Sequence, residues 1–162
     1  MNKLKISYDS LQDNHDQDLF LHVACFFIGK DEDVTMKILD GCDFHTTVGI
    51  QNLIDICLVA KDGDNKLKMH QMIRDMGREI VRLESKEPEK CSRLRYRKDS
   101  LNVLREKNGS KKIEGLALHM YHVETPSGNT NKILDLSGSC ILTETGDFSL
   151  VPNLERLILE DC

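Results

Sequence analysis

The chain has 162 residues, 40% apolar and 30% charged, with 22 basic and 27 acidic side chains and a formal net charge of −5. That length allows one ordinary domain or two small ones, and the acidic balance argues against a general polyanion binder, which needs surplus Lys and Arg. No apolar run approaches the ~18–20 residues of a membrane helix, and Met1-Asn2-Lys3-Leu4-Lys5 lacks the apolar stretch of a signal peptide.

The first helix is expected between Asp16 and Gly29. Leu19, Phe20, Val23, Phe26 and Phe27 recur at helical spacing, Asp16 and Asp18 suit a helix start, and Gly29 suits a stop. A second helix is expected from an Asp33 N-cap, burying Val34, Ile38 and Leu39, to Gly41. A third is capped by Thr46 or Thr47, with Ile50, Leu53, Ile54, Cys57 and Leu58 on one face. Leu58-Val59-Ala60, the turn signal Asp62-Gly63-Asp64-Asn65 and the alternation Lys66-Leu67-Lys68-Met69 predict a hairpin. A last helix carries Met72, Ile73, Met76, Ile80 and Leu83 inward, with Arg74, Arg78, Glu79 and Arg82 mostly outward. Three helices, a two-stranded wing and a closing helix make a winged-helix domain, expected over residues 1–85.

Charge divides the chain. Residues 1–85 carry 10 basic and 15 acidic groups, residues 86–112 carry 10 and 4, and residues 113–162 carry 2 and 8. The middle segment reads as a basic connector, solvated and docked on an acidic neighbour. A nucleic-acid arm is the alternative, with Tyr96 its one aromatic. The third helix would have to enter the major groove, yet residues 46–58 hold Asp55 and no Lys or Arg.

Residues 113–162 carry a repeat signal. Leu154-x-x-Leu157-x-Leu159-x-x-Cys162 fits the leucine-rich-repeat template, and a step back of 23 residues reaches Leu134, Leu136 and Ser139. Asn131 breaks the earlier copy, and Ile113-x-x-Leu116-x-Leu118-x-Met120 suits a preceding strand. The expected fold class is therefore α+β: a mostly helical winged-helix domain followed by an incomplete leucine-rich-repeat solenoid. The chain stops inside a repeat and so reads as a piece of something longer.

Catalytic and metal chemistry are not expected. The six cysteines stand at 25, 42, 57, 91, 140 and 162 without a CxxC pair and read as reduced thiols. His22-x-x-Cys25, Cys42-x-x-His45 and His119-x-x-His122 have pair spacing for zinc, but the first lies on an apolar helix stripe, where a thiol acts as a small hydrophobe. No frame positions a nucleophile against a base.

Several ordered motifs carry a family resemblance. Leu4-Lys5-Ile6-Ser7-Tyr8-Asp9-Ser10-Leu11 and Phe20-Leu21-His22-Val23-Ala24-Cys25-Phe26-Phe27 resemble segments of plant nucleotide-binding leucine-rich-repeat immune receptors, in the form typical of the class with an N-terminal Toll/interleukin-receptor domain. Further matches follow in the family's order: Ile38-Leu39-Asp40-Gly41-Cys42, Asp75-Met76-Gly77-Arg78-Glu79-Ile80-Val81, Cys91-Ser92-Arg93-Leu94, Ile113-Glu114-Gly115-Leu116 and Val151-Pro152-Asn153-Leu154. Met69-His70-Gln71 stands where the family has Met-His-Asp.

The resemblance implies a switch: the C-terminal, winged-helix part of the family's nucleotide-binding (NB-ARC) region, joined to the start of its repeats. In that family the winged helix closes over ADP, the histidine of Met-His-Asp touches the β-phosphate, and exchange for ATP releases the domain for defence signalling. His70 is the matching residue. Gln71 replaces a carboxylate that can cap the following helix, which predicts weakened control of the off state. No GxxxxGK[ST] phosphate cradle occurs, so the isolated chain is expected to bind no ADP, while a full receptor would use ADP and ATP. Expected partners are the receptor's own nucleotide-binding and repeat regions, or other immune proteins, in the cytoplasm or nucleus.

Overall fold

A computed structural model describes residues 2–11, 13–40, 46–106, 112–117, 133–135 and 156–158. The chain divides into two compact units, Met1–Val81 and Arg82–Cys162.

The first unit begins with α1, Asn2–Asp9, a helix that apolar periodicity did not predict. Next comes α2, Asn14–His22. Its N-cap is Asp13, whose carboxylate accepts the His15 N–H at 2.9 Å. α2 runs directly into a π-helical turn, Val23–Phe27, all five residues of which are buried. It stops at Ile28, and Gly29 follows with a φ of +86° that suits glycine.

The segment after Gly29 pairs with the wing. The Gly29 N–H donates to the Leu67 carbonyl, and the Leu67 N–H donates to the Lys30 carbonyl, each at 2.8 Å. Helix α3 spans Glu32–Asp40. Its cap is Asp31 rather than the expected Asp33, with Oδ1 accepting the Val34 N–H at 3.0 Å. The pairing to the wing fixes where the extended backbone ends, and that selects the cap two residues earlier.

Helix α4 spans Thr46–Asp55, so the expected caps, Thr46 and Thr47, both fall inside it. The Asp40 carboxylate receives both the N–H and the hydroxyl of Thr46. Strands β1 (Ala60–Lys61) and β2 (Leu67–Lys68) form the antiparallel wing, with Ala60 opposite Lys68 and Lys61 opposite Leu67. Helix α5, Gln71–Leu83, closes the series.

Leu19, Phe20, Val23, Phe27, Leu39, Ile50, Leu53, Leu58 and Leu67 form the core, each at most 2% exposed. Burying one such side chain is worth about 1.5–3 kcal/mol. Two glycines let helices approach. A Cβ on Gly49 would collide with Leu19 Cδ2, and one on Gly77 would lie 2.9 Å from Ala24 Cβ and 3.0 Å from Phe20 Cε1. The Gly77 contact rotates α5: its inward face is Ile73, Met76, Gly77 and Val81, while Met72 (56% exposed) and Leu83 (70%) face solvent instead of the core.

The second unit corrects the picture of residues 86–112 as a solvated connector. They contain a 3-10 turn, Pro88–Lys90, strand β3, Arg93–Leu94, and helix α6, Arg97–Glu106. Arg93, Leu94, Ser100 and Val103 are all buried. Strands β4 (Gly115–Ala117), β5 (Ile133–Asp135) and β6 (Arg156–Ile158) follow. All four strands form one parallel sheet in the order β3-β4-β5-β6. Parallel neighbours need a crossover between them, and α6 lies in the first. Leu116 stands beside Leu134, and Leu134 beside Leu157, 23 residues further on.

Candidate functional site

The hairpin and the start of α5 build the region around Met69-His70-Gln71. Asp62 organises the wing tip. Its Oδ1 accepts the N–H groups of Asp64 at 3.0 Å and Lys66 at 2.9 Å, and its Oδ2 lies 3.2 Å from Lys68 Nζ. The bond from the Lys66 N–H, with help from Lys68, holds the Asp62 carboxyl below the usual carboxylate range. At the wing base, Lys61 Nζ donates to Glu32 Oε2 at 2.9 Å, which pairs a nearly buried carboxylate on α3.

His70 leaves the wing and becomes the N-cap of α5. Its Nδ1 accepts the Met72 N–H at 3.2 Å. Its carbonyl accepts the N–H groups of Ile73 at 2.9 Å and Arg74 at 3.0 Å. An Nδ1 that accepts carries no proton, so the ring hydrogen lies on Nε2, at the far side of the ring from the helix. His70 is exposed, as is Gln71, and Met69 is half-buried. The sequence had suggested that residue 71 would hold the capping role. Gln71 is instead the first helical residue, because the helix begins directly after His70, whose carbonyl accepts the first bonds of α5. The site therefore offers an N–H donor and the positive end of a helix dipole, a combination suited to an anion.

Leu134 and Leu157 lie in β5 and β6 of the second unit. Leu136, Leu154, Leu159 and Cys162 lie outside the described residues, as do Cys42, His45, His119 and His122. His22 and Cys25 are buried, with the His22 ring 6.2 Å from that of Phe26. Among the described residues no group of three or more His, Cys, Asp or Glu is placed to hold a metal ion. Nor is any helix there long and apolar enough to cross a membrane.

The exposed side of α4 opposes a polyanion. Gln51 Nε2 donates to Asp55 Oδ1 at 2.7 Å, and Asn52 Nδ2 donates to Asp16 Oδ2 at 3.0 Å. In the basic segment, Arg93 is committed to structure. It donates to Glu114 Oε2 at 3.0 Å and to Ser92 Oγ at 2.8 Å. Glu84 receives the Ser92 N–H and hydroxyl at 2.6 and 2.7 Å. Burial, with Glu84 adding to it, pushes the Cys91 thiol up. Arg95 stacks over Tyr96 at 4.8 Å.

One residue of consequence was misjudged from periodicity. Arg78, expected outward, donates through Nε to the Ala24 carbonyl at 3.0 Å. The signal was the Gly77-Arg78 pair: a small residue facing the core brings its neighbour's long side chain within reach of the adjoining helix.

Comparison with known proteins gives these elements a context. Residues 13–85 match the family model described as "Disease resistance protein Roq1-like, winged-helix domain". The chain is 43% identical over 129 residues to disease resistance protein RUN1 of Vitis rotundifolia, covering 79% of this chain and 10% of that protein. It is 42% identical over 112 residues to disease resistance protein RPP2A of Arabidopsis thaliana, covering 69% and 8%. It is 36% identical over 121 residues to TMV resistance protein N of Nicotiana glutinosa, covering 75% and 10%. The chain spans about a tenth of the length of these curated relatives. Residues 13–85 are thus similar to the winged-helix domain of plant disease resistance proteins.

Proposed function

We propose that this chain is a regulatory part of a plant immune receptor, a winged-helix lid over a nucleotide pocket joined to the first strands of a leucine-rich-repeat solenoid. The observation that carries the lid is the cap geometry of His70. Nδ1 is engaged by the Met72 N–H, which turns the Nε2–H side of the ring away from α5 at the helix's positive end. These groups fit one side of a phosphate. The rest of the cradle has to come from other polypeptide, since the sequence contains no GxxxxGK[ST].

ADP, when bound, supplies a β-phosphate whose negative charge meets that donor and dipole. His70 holds the lid to it, α5 carries His70, and the wing fixes where α5 begins. Loss of the contact frees the domain to move and permits signalling. Gln71 contributes no charge at the first position of α5, where a carboxylate would favour the helix. The parallel pairing of Leu134 with Leu157 at the 23-residue spacing of the sequence repeat supports the solenoid reading. The nucleic-acid alternative draws no such support. The helix it would place in the groove turns Asp55 outward, and Arg93 of the basic segment is already paired.

A complete receptor carrying these residues provides the test. Gln71→Asp is expected to lower its background cell-death signalling in leaf tissue at equal protein abundance, and His70→Ala to raise it. Unchanged signalling from both variants would contradict the lid.

A further inference from the structure

We infer that Arg78 is a positioning residue, whose bond to the Ala24 carbonyl latches α5, and with it His70, onto the end of α2. The regulatory meaning of this latch rests on the lid reading above, whereas the latch itself stands on geometry.

The end of α2 creates the need for a partner. The helix and its π turn stop at Ile28, with φ −69° and ψ 127°. Gly29 then turns away, and its N–H goes to Leu67 on the wing. A helix end leaves its last four carbonyls without intrahelical donors and carries the negative end of the dipole. Ala24 lies in that last stretch. Arg78 supplies both a donor and a positive charge there, which makes this a charge-assisted bond.

The same bond closes a circuit. From Ala24 the chain runs to Gly29 and Lys30, which are bonded to Leu67. Three residues past Leu67 stands His70, which caps α5. Two turns along α5, Gly77 and Arg78 return to Phe20 and Ala24. The Gly77 contact is apolar and sets how closely the helices approach. The Arg78 bond is directional and fixes how α5 registers against α2. His70 sits at the apex, held from the wing on one side and from the latch on the other.

Amide hydrogen exchange on the 162-residue chain tests this. Arg78→Met keeps the stem and removes the donors. The Met72, Ile73 and Arg74 amides, which bond to His70, are expected to exchange at least ten-fold faster relative to the Leu53 and Ile54 amides of α4. Arg78→Lys, which restores a cation and a donor, is expected to recover most of the difference. Should Arg78→Met not fold, Arg78→Gln gives the same ratio in a milder form. A rise of equal size in α4 and α5 would mean that Arg78 merely adds stability, and no rise at the start of α5 would overturn the latch outright. Accelerated exchange at α5, in a receptor whose ADP content does not depend on His70, would keep the latch and remove its regulatory role.

Discussion

His70 does two things with one ring. Nδ1 caps a helix, and on the proposed reading Nε2 faces the phosphate. The two roles can be separated by substitution. Aspartate is among the best N-caps, so His70→Asp preserves an acceptor for the Met72 N–H while placing a negative charge where the lid would meet phosphate. The isolated chain with His70→Asp is expected to be as stable as the unsubstituted one, or more stable by up to about 1 kcal/mol, in urea unfolding. A loss of more than about 1 kcal/mol would show that the imidazole supports the fold in some further way. The position of the histidine was legible from the wing signal and the helix that follows it. Its capping role was not, because the helix starts one residue earlier than a cap at position 71 requires, a difference finer than a sequence pattern resolves.

At the scale of elements, α5 against α2 is the decisive contact. Gly77 costs the isolated helix about 1 kcal/mol relative to Ala, so an alanine would help a solvent-exposed helix. Here an added Cβ would meet Ala24 Cβ and the Phe20 ring at 2.9–3.2 Å. Neither is the end of a flexible chain. Gly77→Ala is therefore expected to destabilise the chain by about 1–3 kcal/mol in denaturant unfolding, as overpacking does. A stabilised protein would show that α5 is not seated as described.

Helices α2 through α5 and the wing could be read from apolar spacing and from Asp62-Gly63-Asp64-Asn65, because each buries one face. Three features could not. Helix α1 carries few apolar residues at helical spacing. The π turn is hidden in a run of five buried residues, where no polar position marks the period. Strand β3 is two residues long and lies within a basic segment, so charge obscured it. There Arg93 is buried because Glu114 answers it from 21 residues away, a pairing that local pattern does not reveal.

At the scale of the whole molecule, a helical unit with a wing precedes a unit built on a parallel sheet. That sheet begins earlier than the repeat template suggested. The template locates strands at 134 and 157 from their leucines, whereas β3 and α6 come before any leucine-rich signal, in a segment whose charge reads as linker. A parallel sheet has to start somewhere, and its starting strand needs cover rather than a repeat motif; α6 lies over it, with Ser100 Oγ donating to the Leu94 carbonyl at 3.3 Å. The likeness to plant disease resistance proteins covers both units in part, since 129 aligned residues are more than either unit, Met1–Val81 or Arg82–Cys162, contains.

The proposed lid would supply one side of a pocket, and the GxxxxGK[ST] motif that would complete it does not occur in these 162 residues. The most direct measurement is the ADP that copurifies with a complete receptor carrying this segment, with His70 intact or changed to Asp. The account predicts about one ADP per intact receptor and at least a ten-fold loss in the His70→Asp protein at unchanged folded abundance. Equal ADP in the two proteins would contradict it.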